Sequence, residues 1–109
     1  MTLREKRCFF TQLLCQHVLW LLAQGYEVSF DEGLDRKTPK DPTSDHMQGS
    51  LHNIGLAQDM NLYRNGVWLS KTEDHAFSGE KWESLHPLCS WGGRFKDGNH
   101  YSFEHEGVR

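Results

Sequence analysis

Leu56-Ala57-Gln58-Asp59-Met60-Asn61-Leu62-Tyr63-Arg64-Asn65-Gly66-Val67-Trp68-Leu69 is the stretch on which the fold turns. Leu56 to Tyr63 reads as a strand, Arg64-Asn65-Gly66 as a hairpin turn, and Val67-Trp68-Leu69 as the returning strand. Upstream, Tyr26-Glu27-Val28-Ser29-Phe30 alternates and reads as another strand. Before it, Leu3, Phe10, Leu14, Val18, Leu21 and Leu22 recur at helical spacing, which predicts an amphipathic helix of about five turns closed by Gly25. Residues 31–50 are polar, with Gly33, Pro39, Pro42 and Gly49, and read as a long loop.

Downstream, Thr72 is placed to cap a helix that starts at Glu73 or Asp74, runs to about His86 and stops at Pro87. Trp91 to Phe95 and His100 to Phe103 read as short strands joined by Asp97-Gly98-Asn99, with a polar tail over 104–109. The sum is one α+β domain over residues 1–109: a small antiparallel sheet packed with a long N-terminal helix and a second helix.

Composition narrows the function. The chain has 109 residues, 37% hydrophobic and 25% charged, with a net charge of -3. That fits a folded globular domain. A slightly acidic chain lacks the basic surface that phosphate contacts need, which argues against nucleic acid. No run of about 18 apolar residues is present, so no membrane span is expected. The charged start followed by interrupted apolar residues does not make a signal peptide, so synthesis in the cytoplasm is expected. Cys8, Cys15 and Cys89 form no close pair and are expected to be buried free thiols. Seven His and ten Gly are many for this length.

Metal-ligand residue types concentrate in Ser50-Leu51-His52-Asn53-Ile54-Gly55-Leu56-Ala57-Gln58-Asp59 and in Asp97-Gly98-Asn99-His100. A catalytic zinc takes three protein ligands and leaves one position for water, and two His with one carboxylate meet that need. No H-E-x-x-H helix motif is present. Gly55 instead allows a sharp turn that lets His52 and Asp59 converge. Spacing alone is weak support, because pairs at this distance arise by chance in a chain this rich in His.

The wider pattern is more specific. Ser50-x-His52-x-x-Gly55-x-Ala57-x-Asp59 followed by Asp97-x-x-His100 resembles the M15 peptidases, zinc enzymes that cut peptidoglycan stem peptides as D-alanyl-D-alanine carboxypeptidases or L-alanyl-D-glutamate endopeptidases. The likeness runs through Asn61-Leu62-Tyr63, Thr72-Glu73-Asp74, Trp82-Glu83-Ser84-Leu85 and Trp91-Gly92-Gly93-Arg94-Phe95, covers residues 26–105, and is nearest to short phage endolysins. It implies an M15/hedgehog-like fold, with His52, Asp59 and His100 as Zn²⁺ ligands and Asp97 as the catalytic carboxylate. An upstream arginine steadies substrate in that family. Here Asp35-Arg36-Lys37-Thr38-Pro39 offers Arg36, with Lys37 nearer to Thr38-Pro39. Tyr101 stands where relatives have Phe after the last ligand, and His86 where they often have Gly.

On this likeness zinc acidifies its water and polarises the scissile carbonyl. Asp97 handles the proton, with burial expected to raise its pKa. Arg36 meets the oxyanion. Ser50 is expected to touch substrate or orient a ligand, and Trp91 to line the groove. His17 is expected at the solvent or core edge, and His46 and His75 at the surface. The implied partner is a peptidoglycan peptide met by a monomer, in the periplasm, after release through a holin-type pore. Two other readings compete: a non-catalytic zinc-binding interaction module of the same fold, and an H-N-H-type nuclease suggested by His52-Asn53 and Asn99-His100.

Overall fold

The computed structural model describes residues 1–31 and 51–109. The expected loop therefore lies outside the described residues apart from Asp31, as do Arg36, Lys37, His46, Gly49 and Ser50. The described chain is an α+β domain in element order α1 (Leu3–Ala23), β1 (Glu27–Phe30), β2 (Ala57–Arg64), β3 (Val67–Trp68), α2 (Ala76–Leu85), β4 (Cys89–Trp91) and β5 (His100–Phe103). Short 3₁₀ turns occupy Leu51–Ile54, Thr72–His75 and Gly92–Phe95.

Helix α1 starts with a reciprocal cap. The Thr2 hydroxyl accepts from the Glu5 N–H at 3.1 Å, and the Glu5 carboxylate accepts from the Thr2 N–H at 2.8 Å. Phe10, Leu13, Leu14, His17 and Leu21 form its buried stripe. The 3.6-residue period explains two corrections. Leu22 lies about 100° beyond Leu21 and is exposed. His17, expected at the edge, sits four residues before Leu21 on the stripe itself and is only 1% exposed. Cys8 and Cys15 share the opposite side and are exposed rather than buried, while Cys89 is buried. Burial pushes the Cys89 thiol up to about 12, which keeps it protonated and unreactive.

Strand β2 organises the sheet, whose order is β1-β2-β5-β4, with β3 also on β2. One edge of β2 pairs antiparallel with β1 through residues 60–63. The other edge is shared: β5 takes residues 57–59, and β3 takes residues 63–64. The hairpin turn has both Asn65 (φ 52°) and Gly66 (φ 76°) in the left-handed region, as the tight turn joining twisted strands demands.

Alternation gives the sheet two unlike faces. Met60, Leu62, Tyr101 and Phe103 are fully buried on the helix side. There Phe9 meets Phe103 edge-on, and Trp82 packs on Phe10 and Tyr101. Trp82 also donates its Nε1–H to the Ser102 carbonyl at 3.0 Å, so its burial leaves no stranded donor. The register puts Asp59 directly opposite His100, and Ala57 opposite Ser102, on the other face.

Three expected elements differ in detail. Helix α2 begins at Ala76 after a 3₁₀ turn, and that turn is closed by the Asp74 carboxylate accepting from the Lys71 N–H at 3.2 Å, not by Thr72. Expected strand Trp91 to Phe95 is a strand only over Cys89–Trp91, because the chain coils at Gly92–Phe95 and reverses at Lys96 (φ 61°). The tail is not featureless, since His105 and Val108 bridge across a turn. No helix among the described residues is long and apolar enough to cross a membrane.

Candidate metal centre

His52 is held by its neighbours. Leu51 is buried, the Leu56 N–H donates to the Leu51 carbonyl at 2.9 Å, and the Arg7 Nε–H donates to the Ile54 carbonyl at 2.6 Å. Gly55 closes the turn at φ +75°, a backbone state that an L side chain rarely adopts, and a Cβ there would stand 3.3 Å from Arg7 Nε. Asp59 is fixed in β2, where its carbonyl also accepts from the Asp31 N–H at 3.0 Å. His100 opens β5, its N–H donating to the Asp97 carbonyl at 3.1 Å.

These elements bring three side chains to one point. His52 Nε2 lies 3.1 Å from His100 Nδ1 and 3.2 Å from Asp59 Oδ1, and His100 Nδ1 lies 3.4 Å from Asp59 Oδ1. The triangle is nearly equilateral. Ligands about 2.0–2.1 Å from a tetrahedral zinc are separated by roughly 3.3 Å, the edge length seen here. Two imidazole nitrogens and a carboxylate oxygen this close together need a proton or a cation between them. The residues present therefore fit a divalent cation such as zinc. Burial pushes the Asp59 carboxyl up, but hydrogen bonds from His100 and His52, with their charge, outweigh it and hold Asp59 well below the usual carboxylate range. It is the ionised form that a cation needs.

Asp97 sits three residues before His100 and is exposed, where burial was expected. Trp91 is tied into the scaffold. Its ring contacts Gly79 and Gly93, and its Nε1–H donates to the Gly98 carbonyl at 2.7 Å. Arg36 and Ser50 lie outside the described residues. His86 accepts from the Leu88 N–H at 3.0 Å and packs against Phe9 and Phe103, a structural role.

Sequence reasoning missed a second polar cluster behind the first. His17 Nε2 lies 2.9 Å from Ser78 Oγ, Ser78 Oγ 2.8 Å from Tyr101 Oη, and Tyr101 Oη 2.9 Å from His75 Nδ1. All four residues are buried, including His75, which was expected at the surface. Burial, with a contribution from Lys81, pushes His17 down to about 4, and burial also lowers His75. Tyr101 follows His100, so this network pins β5 from the helix side and steadies the strand that presents His100. The helical position of His17 was a usable signal, since it falls on the apolar stripe. His75 gave none.

Fold and cluster together define a small α+β domain with a His–Asp–His triad suited to a metal ion. No family model, no curated protein and no solved structure matches this chain.

Proposed function

We propose that the chain is a zinc-dependent peptidase that hydrolyses peptidoglycan stem peptides, as an L-alanyl-D-glutamate endopeptidase or a D-Ala-D-Ala carboxypeptidase of the M15 type. The observation that carries this reading is the triangle of His52 Nε2, Asp59 Oδ1 and His100 Nδ1, with edges of 3.1–3.4 Å. A bound zinc supplies an acidified water and a Lewis acid toward the scissile carbonyl. Asp97, one turn ahead of His100, takes the water's proton and returns it to the leaving amine. Substrate lying over this exposed carboxylate desolvates it and strengthens it as a base. Arg36 is the proposed partner of the developing oxyanion, with Lys37 the competing cation. Action on the cell wall, after release by a pore, follows from the same reading.

The test incubates zinc-loaded protein with purified peptidoglycan and with DNA, with and without chelator. Stem peptides are expected from peptidoglycan alone, and chelator or His52→Ala should stop their release. Mass spectrometry of the fragments separates the two bonds. Zinc binding without cleavage of either substrate overturns the peptidase and leaves the non-catalytic zinc module. DNA cleavage instead supports the nuclease.

A further inference from the structure

The side of α1 turned away from the sheet carries a pattern that the fold does not use. Cys8, Cys15 and Leu22 recur every seven residues, with Leu19 beside them and Met1 just ahead of the helix, and all five are exposed. Seven residues are close to two helical turns, so these side chains form one stripe. Leu19 and Leu22 are 66% and 49% exposed. The stripe is also uncharged. No Asp, Glu, Lys or Arg occurs from Cys8 to Tyr26, in a chain that is 25% charged. Among the basic residues of the first two turns, Lys6 is turned to His105 and Arg7 to the Ile54 carbonyl, which leaves Arg4 on the exposed side.

The two thiols indicate what fits this face. Cys8 and Cys15 stand about 10.5 Å apart along the helix, beyond the roughly 7 Å between Cα atoms that a disulfide can span. They cannot pair with each other, and Cys89 is buried. A disulfide on this stripe therefore joins two chains. Antiparallel packing of two copies about a two-fold axis brings Cys8 to the partner's Cys15 and Cys15 to the partner's Cys8. The same register sets Leu22 on the partner's Met1 and Leu19 on the stem of the partner's Arg4. Helix axes about 8–10 Å apart leave roughly 3.5–5.5 Å between facing Cα atoms, which overlaps the span of a disulfide. Charge favours this direction over the parallel one, since it sends the basic first turns and the positive helix ends to opposite ends of the pair.

We propose that this face of α1 is a self-association surface, on which a second copy of the chain packs antiparallel and is locked by two disulfides between Cys8 and Cys15. The proposal does not depend on the peptidase reading, and the pair differs from the monomer expected there. Asp59 and His100 lie on the other face of the sheet, so pairing leaves the metal centre open. One helix face is small beside the roughly 800 Å² per partner of a stable interface, so the reduced pair exchanges and oxidation fixes it. The oxidant is a small disulfide such as oxidised glutathione. The Cys8 thiolate displaces one glutathione thiolate and forms a mixed disulfide, and the partner's Cys15 thiolate then displaces the second. Each link reduces one glutathione disulfide, and the two cysteine protons pass to the two glutathiones released.

The test incubates the full chain with oxidised glutathione and reads non-reducing mass spectra with peptide mapping. A covalent dimer with Cys8–Cys15 links should dominate. Cys8→Ser and Cys15→Ser should each stay monomeric alone, and an equal mixture of the two should cross-link. Leu19→Lys faces the partner's Arg4 and should slow cross-linking at least about tenfold with an unchanged melting temperature, and adding Arg4→Glu should restore it. Should a variant fail to fold, the link pattern of the unaltered chain still decides. Monomers capped by glutathione, or Cys8–Cys8 and Cys15–Cys15 links as frequent as Cys8–Cys15, overturn the proposal. So does cross-linking that ignores Leu19→Lys. Binding of the reduced chain to phosphatidylcholine vesicles, with no dimer on oxidation, also overturns it and assigns the face to a membrane surface.

Discussion

Strand β5 has a pair of histidines on each side. His52 and His100 meet Asp59 on one face, while His17 and His75 meet Ser78 and Tyr101 on the other. Burial alone does not separate them. The side chains of His52 and His100 are 6% and 12% exposed, and His17 and His75 are 1% and 3% exposed as residues. What differs is the partner. Asp59 brings a full negative charge, so its pair is suited to hold a cation. Two hydroxyls bring none, so the other pair is held neutral and serves packing and hydrogen bonding. The same residue type is thus suited to metal binding or to the core according to whether a carboxylate completes the cluster.

The comparison breaks most readily at the metal. His52→Ala should lower zinc affinity by at least about a hundredfold, read by competition with a chromogenic chelator, since even partners beyond the ligands are worth 10–100-fold. Zinc at about a thousandfold over its Kd should stabilise the parent chain by about 4 kcal/mol and leave the variant's melting temperature nearly unchanged.

The other pair should break with acid. Between about pH 6.5 and 4 the unfolded chain takes up a proton at His17 that the folded chain refuses. Stability therefore falls as pH drops through that window, by up to about 3 kcal/mol, and levels off below pH 4 for this group. His75 is shifted in the same direction and adds to the fall. Urea unfolding in chelator at pH 7 and pH 4.5 measures this, and His17→Gln should flatten the dependence whatever it costs at pH 7.

Tyr101→Phe is the sharper and smaller cut. It takes one partner from His75 and one from Ser78, which keeps His17, and should cost about 1–3 kcal/mol in the same urea experiment. Zinc affinity should stay within about threefold, because the hydroxyl lies on the face away from Asp59. A large loss of zinc binding would mean that the two clusters are not independent.

Much of the scaffold was readable because its signals are local. The stripe of α1, the strand β2 and the turn at Asn65-Gly66 depend on residues within a few positions of one another, and each appears within one or two residues of where the sequence puts it. The end of the Trp91 strand was not readable, because Gly92–Phe95 coils where it packs under β5 and α2, and nothing in the short run Trp91-Gly92-Gly93-Arg94-Phe95 announces that contact.

For the candidate site, the sequence by itself supplied the residue types and the turn at Gly55. Only the tertiary structure decided that His52, Asp59 and His100 close to within 3.4 Å, and that His17 and His75 are core residues. The reason is physical. Backbone conformation responds to neighbours along the chain, whereas the fate of a histidine depends on the charge that a strand or helix many residues away sets opposite it.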